Sequence, residues 1–239
     1  MKYLIKFSYD GSKFNGFQRL NDGVTVQGEI EKALSTIDKR EVLLKGAGRT
    51  DRGVHAFNQA ASFDFLNDVP AERLINAINS IVKPYIYVNS CTIVEDDFHA
   101  RFSVKRKKYT YKIYTGDYNP LLFNYYEFIK DLDINKMNEC IKVYLGGHSF
   151  KNFVCGDRDN YDSIVDKAYI NVNDNFIEIT FEGKGFYRYM IRCLVGSLIE
   201  VGKNKLSIDD VKKALDNPNK QTQIYCANAK GLYLEDVIY

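Results

Sequence analysis

Tryptophan is missing from this chain of 239 residues, and histidine and proline are scarce, at three and four. His55, His99 and His148 lie far apart, so none has the spacing of a helical zinc site, and no metal is expected. The five cysteines, at 91, 140, 155, 193 and 226, are odd in number and never stand in a C-x-x-C pair. That excludes zinc-ribbon and thioredoxin-type motifs and leaves free thiols in a reducing compartment as the simplest reading. Net charge is nearly absent, with 33 basic against 31 acidic side chains. The chain as a whole therefore does not advertise nucleic acid, and any such surface has to be local. No apolar run approaches the roughly 18 residues of a membrane span. The opening MKYLIKFSYDG breaks its apolar stretch with Lys2 and Lys6 and alternates like a strand. It reads as folded chain, not as a signal peptide, and the expected compartment is the cytoplasm.

Other features are abundant. Hydrophobic residues make up 45% of the chain, enough for a sizeable core. Eighteen tyrosines and fifteen phenylalanines supply flat rings, many with a polar tip suited to half-exposed surfaces. Tyr3–Tyr9 alternates as a strand, and YDGSKFNGFQ then turns through Gly11 and Gly16. A helix is expected from Thr25, with Val26, Ile30, Ala33, Leu34 and Ile37 on one stripe. Strand-like runs cover Glu41–Leu44 and Gln59–Phe65, and a second helix follows Pro70 with Leu74, Ile75, Ile78 and Ile81 or Val82 inward. YIYVNSCTIV closes this half as a strand. The order β-α-β-β-α-β is that of the split βαβ, or ferredoxin-like, fold.

From about Lys105 the pattern restarts. KYTYKIYT is a strand, and DINKMNECIKVYLGG is a helix capped by Asp133 and ended by Gly146. IVDKAYINVND and FIEITFEG form a hairpin, and GFYRYMIRCLVGSLIEVG is an apolar helix. SIDDVKKAL is a short helix with Ser207 and Asp210 as its capping box, and GLYLEDVIY ends the chain as a strand. The expected class is α+β, in two similar domains spanning 1–104 and 105–239 without a linker.

Three stretches carry chemistry. The first is KGAGRTDRGVHA, Lys45 to Ala56. A polar turn accounts for its glycines and Asp51. It does not account for Arg49 and Arg52 flanking the acid. Glycines let a partner's backbone approach, and arginines can hold phosphate or enter the gap left by a flipped base. A carboxylate among them stays ionised and is a candidate nucleophile. No second acid lies nearby, so paired-carboxylate chemistry is not indicated. The second stretch, ARFSVKRKKYTYKIYT, gathers Arg101, Lys105, Arg106, Lys107, Lys108 and Lys112 with no acid among them. On a strand, Tyr109 and Tyr111 share one face, and Lys108, Thr110 and Lys112 share the other. Cations beside rings suit RNA, but a solvated charge run before a core strand gives the same pattern. The third is Arg188 and Arg192, four apart on the expected apolar helix. One reading has them snorkelling to water, and the other has one of them meeting a carboxylate in a cleft.

These residues also carry a resemblance. YDGSKFNGFQ, TVQGEIEKAL, GAGRTDRGVHAFNQAASF, DFHARFSVKRKKYTYKI, GHSFKNF, GKGFYRYMIRCLVGSLIEVG and GLYLEDVIY follow in order along the chain. Together they resemble the TruA-type tRNA pseudouridine synthases nearly end to end. The resemblance implies two RRM-like halves sharing one extended, mostly antiparallel sheet, with helices on one side and a central cleft. It implies a catalytic Asp51, an Arg49 that helps extrude the nucleotide, a Tyr109 that packs on the target base and an Arg192 that pairs with the aspartate. Arg101 falls in the segment associated with RNA contact. The first half would then carry the catalytic loop, and the second the stacking tyrosine and the basic partner. It further implies isomerisation of uridine at positions 38, 39 and 40 of the tRNA anticodon stem-loop, a homodimer, no cofactor and no metal. This chain departs from the pattern at Phe17, where Trp is commoner, and at Lys167, where arginine is frequent. NPLLFNYYEF lacks an arginine and CANAKGLYL lacks a proline. These departures bear on which uridines or RNAs are accepted. A non-catalytic RNA-binding protein on the same fold is the main rival from another class. An aspartyl phosphotransferase or metal-dependent hydrolase needs a second acid or a metal beside Asp51.

Overall fold

Lys2–Tyr9 alternates half-buried and buried residues without a break, and it forms β1. The structure, a computed structural model, describes residues 1–219 and 225–239. Its contacts divide the chain into two units, Met1–Lys105 with Tyr233–Tyr239, and Arg106–Leu232. The class is α+β, with mostly antiparallel strand pairing.

In the first unit, Thr25 caps α1 (Val26–Asp38) by accepting from the Gly28 N–H, and Val26, Ile30, Ala33 and Leu34 are buried. The strand expected over Glu41–Leu44 does not form. Side chains of α1 bind its backbone instead. Ser35 Oγ accepts from the Val42 N–H (3.0 Å), Glu31 Oε1 accepts from the Leu44 N–H (2.9 Å), and Gln27 donates to the Leu44 carbonyl (3.0 Å). A backbone paired in this way has little left for a ladder. Only β2 (Lys45–Gly46) remains, opposite Ser62 and Ala61 of β3 (His55–Asp64). Pro70 opens α2 (Ala71–Val82), which buries Leu74, Ile78 and Val82, whereas Ile81 faces solvent. Asn79, on the same buried face, donates to the Val88 carbonyl and accepts from its N–H, tying α2 to β4 (Ile86–Val94). β4, β1, β3 and β2 lie side by side and antiparallel, the order of a split βαβ sheet. Tyr3, Phe7, Phe63 and Phe65 fill its core, with the Tyr3 and Phe63 rings stacked at 5.7 Å.

In the second unit, β5 (Arg106–Tyr114) carries a short parallel partner, β6 (Glu127–Phe128). Asp133 caps α3 (Ile134–Ile141) by accepting from the Lys136 N–H. Met137, Cys140, Ile141 and Tyr144 are buried there, but Leu145 is exposed. Ile164 and Val165 leave the expected hairpin and join β8 (Asp162–Val165), which pairs with β7 (Gly146–Ser149). The hairpin itself is β9 (Lys167–Asn173) and β10 (Phe176–Gly183), and β10 also pairs with β5. α4 (Met190–Gly202) begins five residues later than its apolar pattern suggests. α5 (Ile208–Asp216) has the expected Ser207–Asp210 capping box. The last strand, β11 (Leu232–Ile238), returns to the first unit, where Tyr233 and Leu234 run parallel to His55 and Ala56 on the edge that β2 leaves open.

Candidate active-site residues

The loop from Gly46 to Val54 is fastened from below by the first turn of the chain. The Tyr9 hydroxyl and Thr50 Oγ1 are 2.7 Å apart, and the Phe17 N–H donates to the Thr50 carbonyl at 3.1 Å. The Val54 N–H donates to the Asp51 carbonyl at 3.1 Å, closing a tight turn in which Gly53 takes φ 84°. A side chain there would be strained, which is why glycine follows Arg52. Gly11 supports the same loop, because a Cβ on it would stand 2.0 Å from the Val54 carbonyl oxygen. On this base Asp51 is half-buried, Thr50 is buried, and Arg49 and Arg52 are exposed.

Burial pushes the Tyr9 hydroxyl up to about 12, so it stays protonated at neutral pH. Tyr9→Phe is expected to cost about 1 kcal/mol, the net worth of a buried hydrogen bond, in chemical denaturation. An unchanged midpoint would show that the Tyr9–Thr50 pair does not secure the loop.

His55 is buried, stacks on Tyr233 at 4.7 Å, and accepts the Gly11 N–H at Nδ1 (3.1 Å). Asp10 Oδ1 stands 3.4 Å from the same nitrogen. A nitrogen that accepts from Gly11 has no proton for Asp10, and Asp10 Oδ1 already takes the Ser12 N–H and hydroxyl. The shorter Gly11 bond is therefore the better description, and it ties His55 to the first turn of the chain. Arg101 lies on an exposed turn, its guanidinium 5.6 Å over the ring of Phe102, which is 72% exposed.

In the second unit, Tyr109, Tyr111 and Ile113 share a buried face of β5, as the alternation predicts. Tyr109 is 8% exposed, and its ring meets Phe186 edge-on at 5.6 Å. The opposite face is less basic than the sequence suggests. β10 sets Glu182 opposite Lys108 and Glu178 opposite Lys112, and Arg106 and Lys112 approach those acids at 3.4 and 3.6 Å. The acids that offset the run come from a distant strand. Arg192 sits in the first turn of α4, half-buried. Its Nε donates to the Ala227 carbonyl at 2.8 Å, and the Ala227 N–H donates to the Arg192 carbonyl at 2.9 Å. Arg188 does not share a helix face with Arg192, because α4 has not begun there. Both guanidinium groups instead lie over the ring of Tyr189, at 4.9 and 5.0 Å.

Asp51, Arg49 and Arg101 thus belong to the first unit, and Tyr109 and Arg192 to the second. The sequence reading missed the partners that orient them: Tyr9 and Thr50 under Asp51, Phe186 beside Tyr109, and Tyr189 beside Arg192. YDG and GFYRY carried some signal, being aromatic positions within two residues of glycine or arginine. A cavity of about 360 Å³ lined by Arg19, Gly28, Glu31 and Ser35 contains none of the candidates.

A family model described as tRNA pseudouridine synthase matches residues 5–103 and 140–239. The chain is 36% identical over 240 residues to the tRNA pseudouridine synthase A of Mycoplasma genitalium, covering 100% of this chain and 98% of that one. It is 37% identical to the protein of that name from Lactobacillus helveticus, over 100% and 94% of the two chains. Against the one from Staphylococcus aureus it is 38% identical, over 99% and 90%. A solved H/ACA RNP bound to a substrate RNA containing 2'-deoxyuridine aligns with 87% of this chain and 55% of its own. At TM-score 0.35 and 10% identity that likeness carries no weight. The full-length relatives and the family model are decisive, and the chain belongs to the tRNA pseudouridine synthases.

Proposed function

We propose that this chain isomerises uridine to pseudouridine in tRNA, at positions 38, 39 and 40 of the anticodon stem-loop, with Asp51 as the catalytic carboxylate. The observation that carries the reading is the Gly46–Val54 loop. It presents a half-buried acid between two exposed arginines, on a base fixed by Tyr9, Gly11 and Phe17. In the reaction the N1–C1′ bond breaks, the uracil turns, and a C5–C1′ bond forms. The proton on C5 leaves and N1 gains one, so there is neither redox change nor net hydrolysis. One carboxylate suffices, acting either as nucleophile at the sugar or pyrimidine or as the base that accepts the C5 proton.

The uridine first leaves its helix, at a cost of a few kcal/mol. Stacking on Tyr109 returns about 1–3 kcal/mol, and the contact with Phe186 fixes the plane of that ring. Arg49 manages the flipped nucleotide, Arg192 supplies the basic group of the reaction, and Arg101 with Lys105 binds phosphate. The same reading makes the protein a cytoplasmic homodimer that needs neither cofactor nor metal.

Tritium release tests the reaction. Transcribed tRNA carrying tritium at uridine C5 is incubated with the protein, and release into solvent follows formation of the C5–C1′ bond. Release at the mapped uridines is expected. Folded protein that binds a full tRNA mixture without release would instead be the binding-only relative.

A further inference from the structure

Four residues, Phe186 to Tyr189, hold the packing partners of both second-unit candidates. Phe186 meets Tyr109, and Tyr189 meets Arg192. The backbone does something costly to achieve this. The Met190 N–H donates to the Tyr187 carbonyl at 3.0 Å, which makes a turn with Tyr189 at φ 63°, ψ −5°. That conformation ordinarily takes glycine or asparagine, and an aromatic residue there is strained. Strain of this kind persists where surrounding structure demands it, and it concentrates at working sites.

Electrostatics points the same way. Arg188 and Arg192 bracket the start of α4, the positive end of the helix dipole, where cations are disfavoured. Arg192 meets a carbonyl, Ala227 O at 2.8 Å, and the negative face of the Tyr189 ring at 5.0 Å, and both favour its charge there. Arg188 lies over the same ring at 4.9 Å, with its Nη2 3.3 Å from the Tyr189 hydroxyl. An arginine side chain has many rotamers. The Ala227 bond fixes one end of the guanidinium, and the ring fixes its plane.

We propose that Tyr189 is a positioning residue for the isomerisation, holding the Arg192 guanidinium in a single orientation through its ring and its left-handed backbone. This rests on the role proposed above for Arg192. It predicts an effect on turnover rather than on substrate capture, since the role proposed for Arg192 lies in the reaction and not in holding the bulk of the RNA.

The test separates ring from backbone. Tyr189→Asn keeps a residue that tolerates the left-handed conformation but removes the ring, and Tyr189→Phe keeps the ring. Two readouts are taken: tritium release on tRNA, and solvent exchange of the Arg192 Nε–H by NMR. Tyr189→Asn is expected to lower kcat by about tenfold to a hundredfold with KM within about twofold. The Nε–H is expected to exchange about tenfold faster in that variant. Tyr189→Phe is expected to restore both. Unchanged exchange in Tyr189→Asn overturns the proposal, as does faster exchange with unchanged kcat. If the wild type itself releases no tritium, the assigned reaction fails instead, and the exchange contrast alone decides whether Tyr189 holds Arg192.

Discussion

Asp51→Asn is expected to abolish isomerisation while leaving tRNA binding and folding in place. The change removes a charge and keeps the volume. Bonds through the Thr50 and Asp51 carbonyls and the Tyr9–Thr50 hydroxyl pair help to set the loop, and the substitution leaves each of them in place. The loop therefore keeps its shape, and a melting midpoint close to wild type is expected. An amide can neither attack as a nucleophile nor accept the proton that C5 must lose. Loss of a residue with that role costs about 10⁴-fold or more in kcat. Affinity for tRNA, measured by filter binding at fixed salt, should change by less than about twofold, because phosphate contacts carry most of it. Tritium release within tenfold of wild type would move the catalytic role away from Asp51. Equal loss of binding and turnover would make Asp51 a binding residue.

How much of this was legible in the sequence depends on the distance between partners. Local patterns read well. The alternation of Lys2–Tyr9, the Thr25 and Asp133 caps and the Ser207–Asp210 box all appear in the structure, because each interaction spans only a few residues. The failures are long-range. Glu41–Leu44 looks like a strand, but helix residues such as Glu31 claim its backbone, and apolar alternation does not report that competition. Arg188 fits the period of α4 yet lies outside it, because the helix starts only after the left-handed Tyr189. Aromatic and apolar residues ahead of a helix extend its apparent pattern. The basic run near Lys108 looks unopposed until β10 brings Glu178 and Glu182 across from it. The pairing of β11 with β3 joins residues nearly 180 positions apart and leaves no local trace. For the site the balance is similar. The sequence motif proposed Asp51, Arg49, Tyr109 and Arg192, but not the side chains beneath and beside them.

Gly11→Ala is expected to damage both stability and turnover from a position that takes no part in the chemistry. The added Cβ would lie 2.0 Å from the Val54 carbonyl oxygen and 2.4 Å from its carbon. Those atoms are backbone and cannot rotate away, so either the first turn or the loop must shift by an ångström or more. The first turn resists. The Gly11 N–H is bonded to the buried His55 ring, and Asp10 Oδ1 binds both the Ser12 N–H and the Ser12 hydroxyl. A shift of the loop is passed on, since the Val54 N–H is bonded to the Asp51 carbonyl. The displacement therefore runs toward Asp51. Overpacking of this kind costs about 3 kcal/mol. In a chain of this size that lowers the melting midpoint by about 6–12 °C. A shift of about 1 Å at the reacting group costs about a hundredfold in turnover. Gly147→Ala is the control, because a Cβ there meets only Ile164 at 3.8 Å, an ordinary contact. Melting and tritium release measured on both variants give the answer. If Gly11→Ala melts like Gly147→Ala, the first turn does not brace the catalytic loop. If it melts lower yet turns over normally, the displacement has gone elsewhere, and the position of Asp51 does not depend on Gly11.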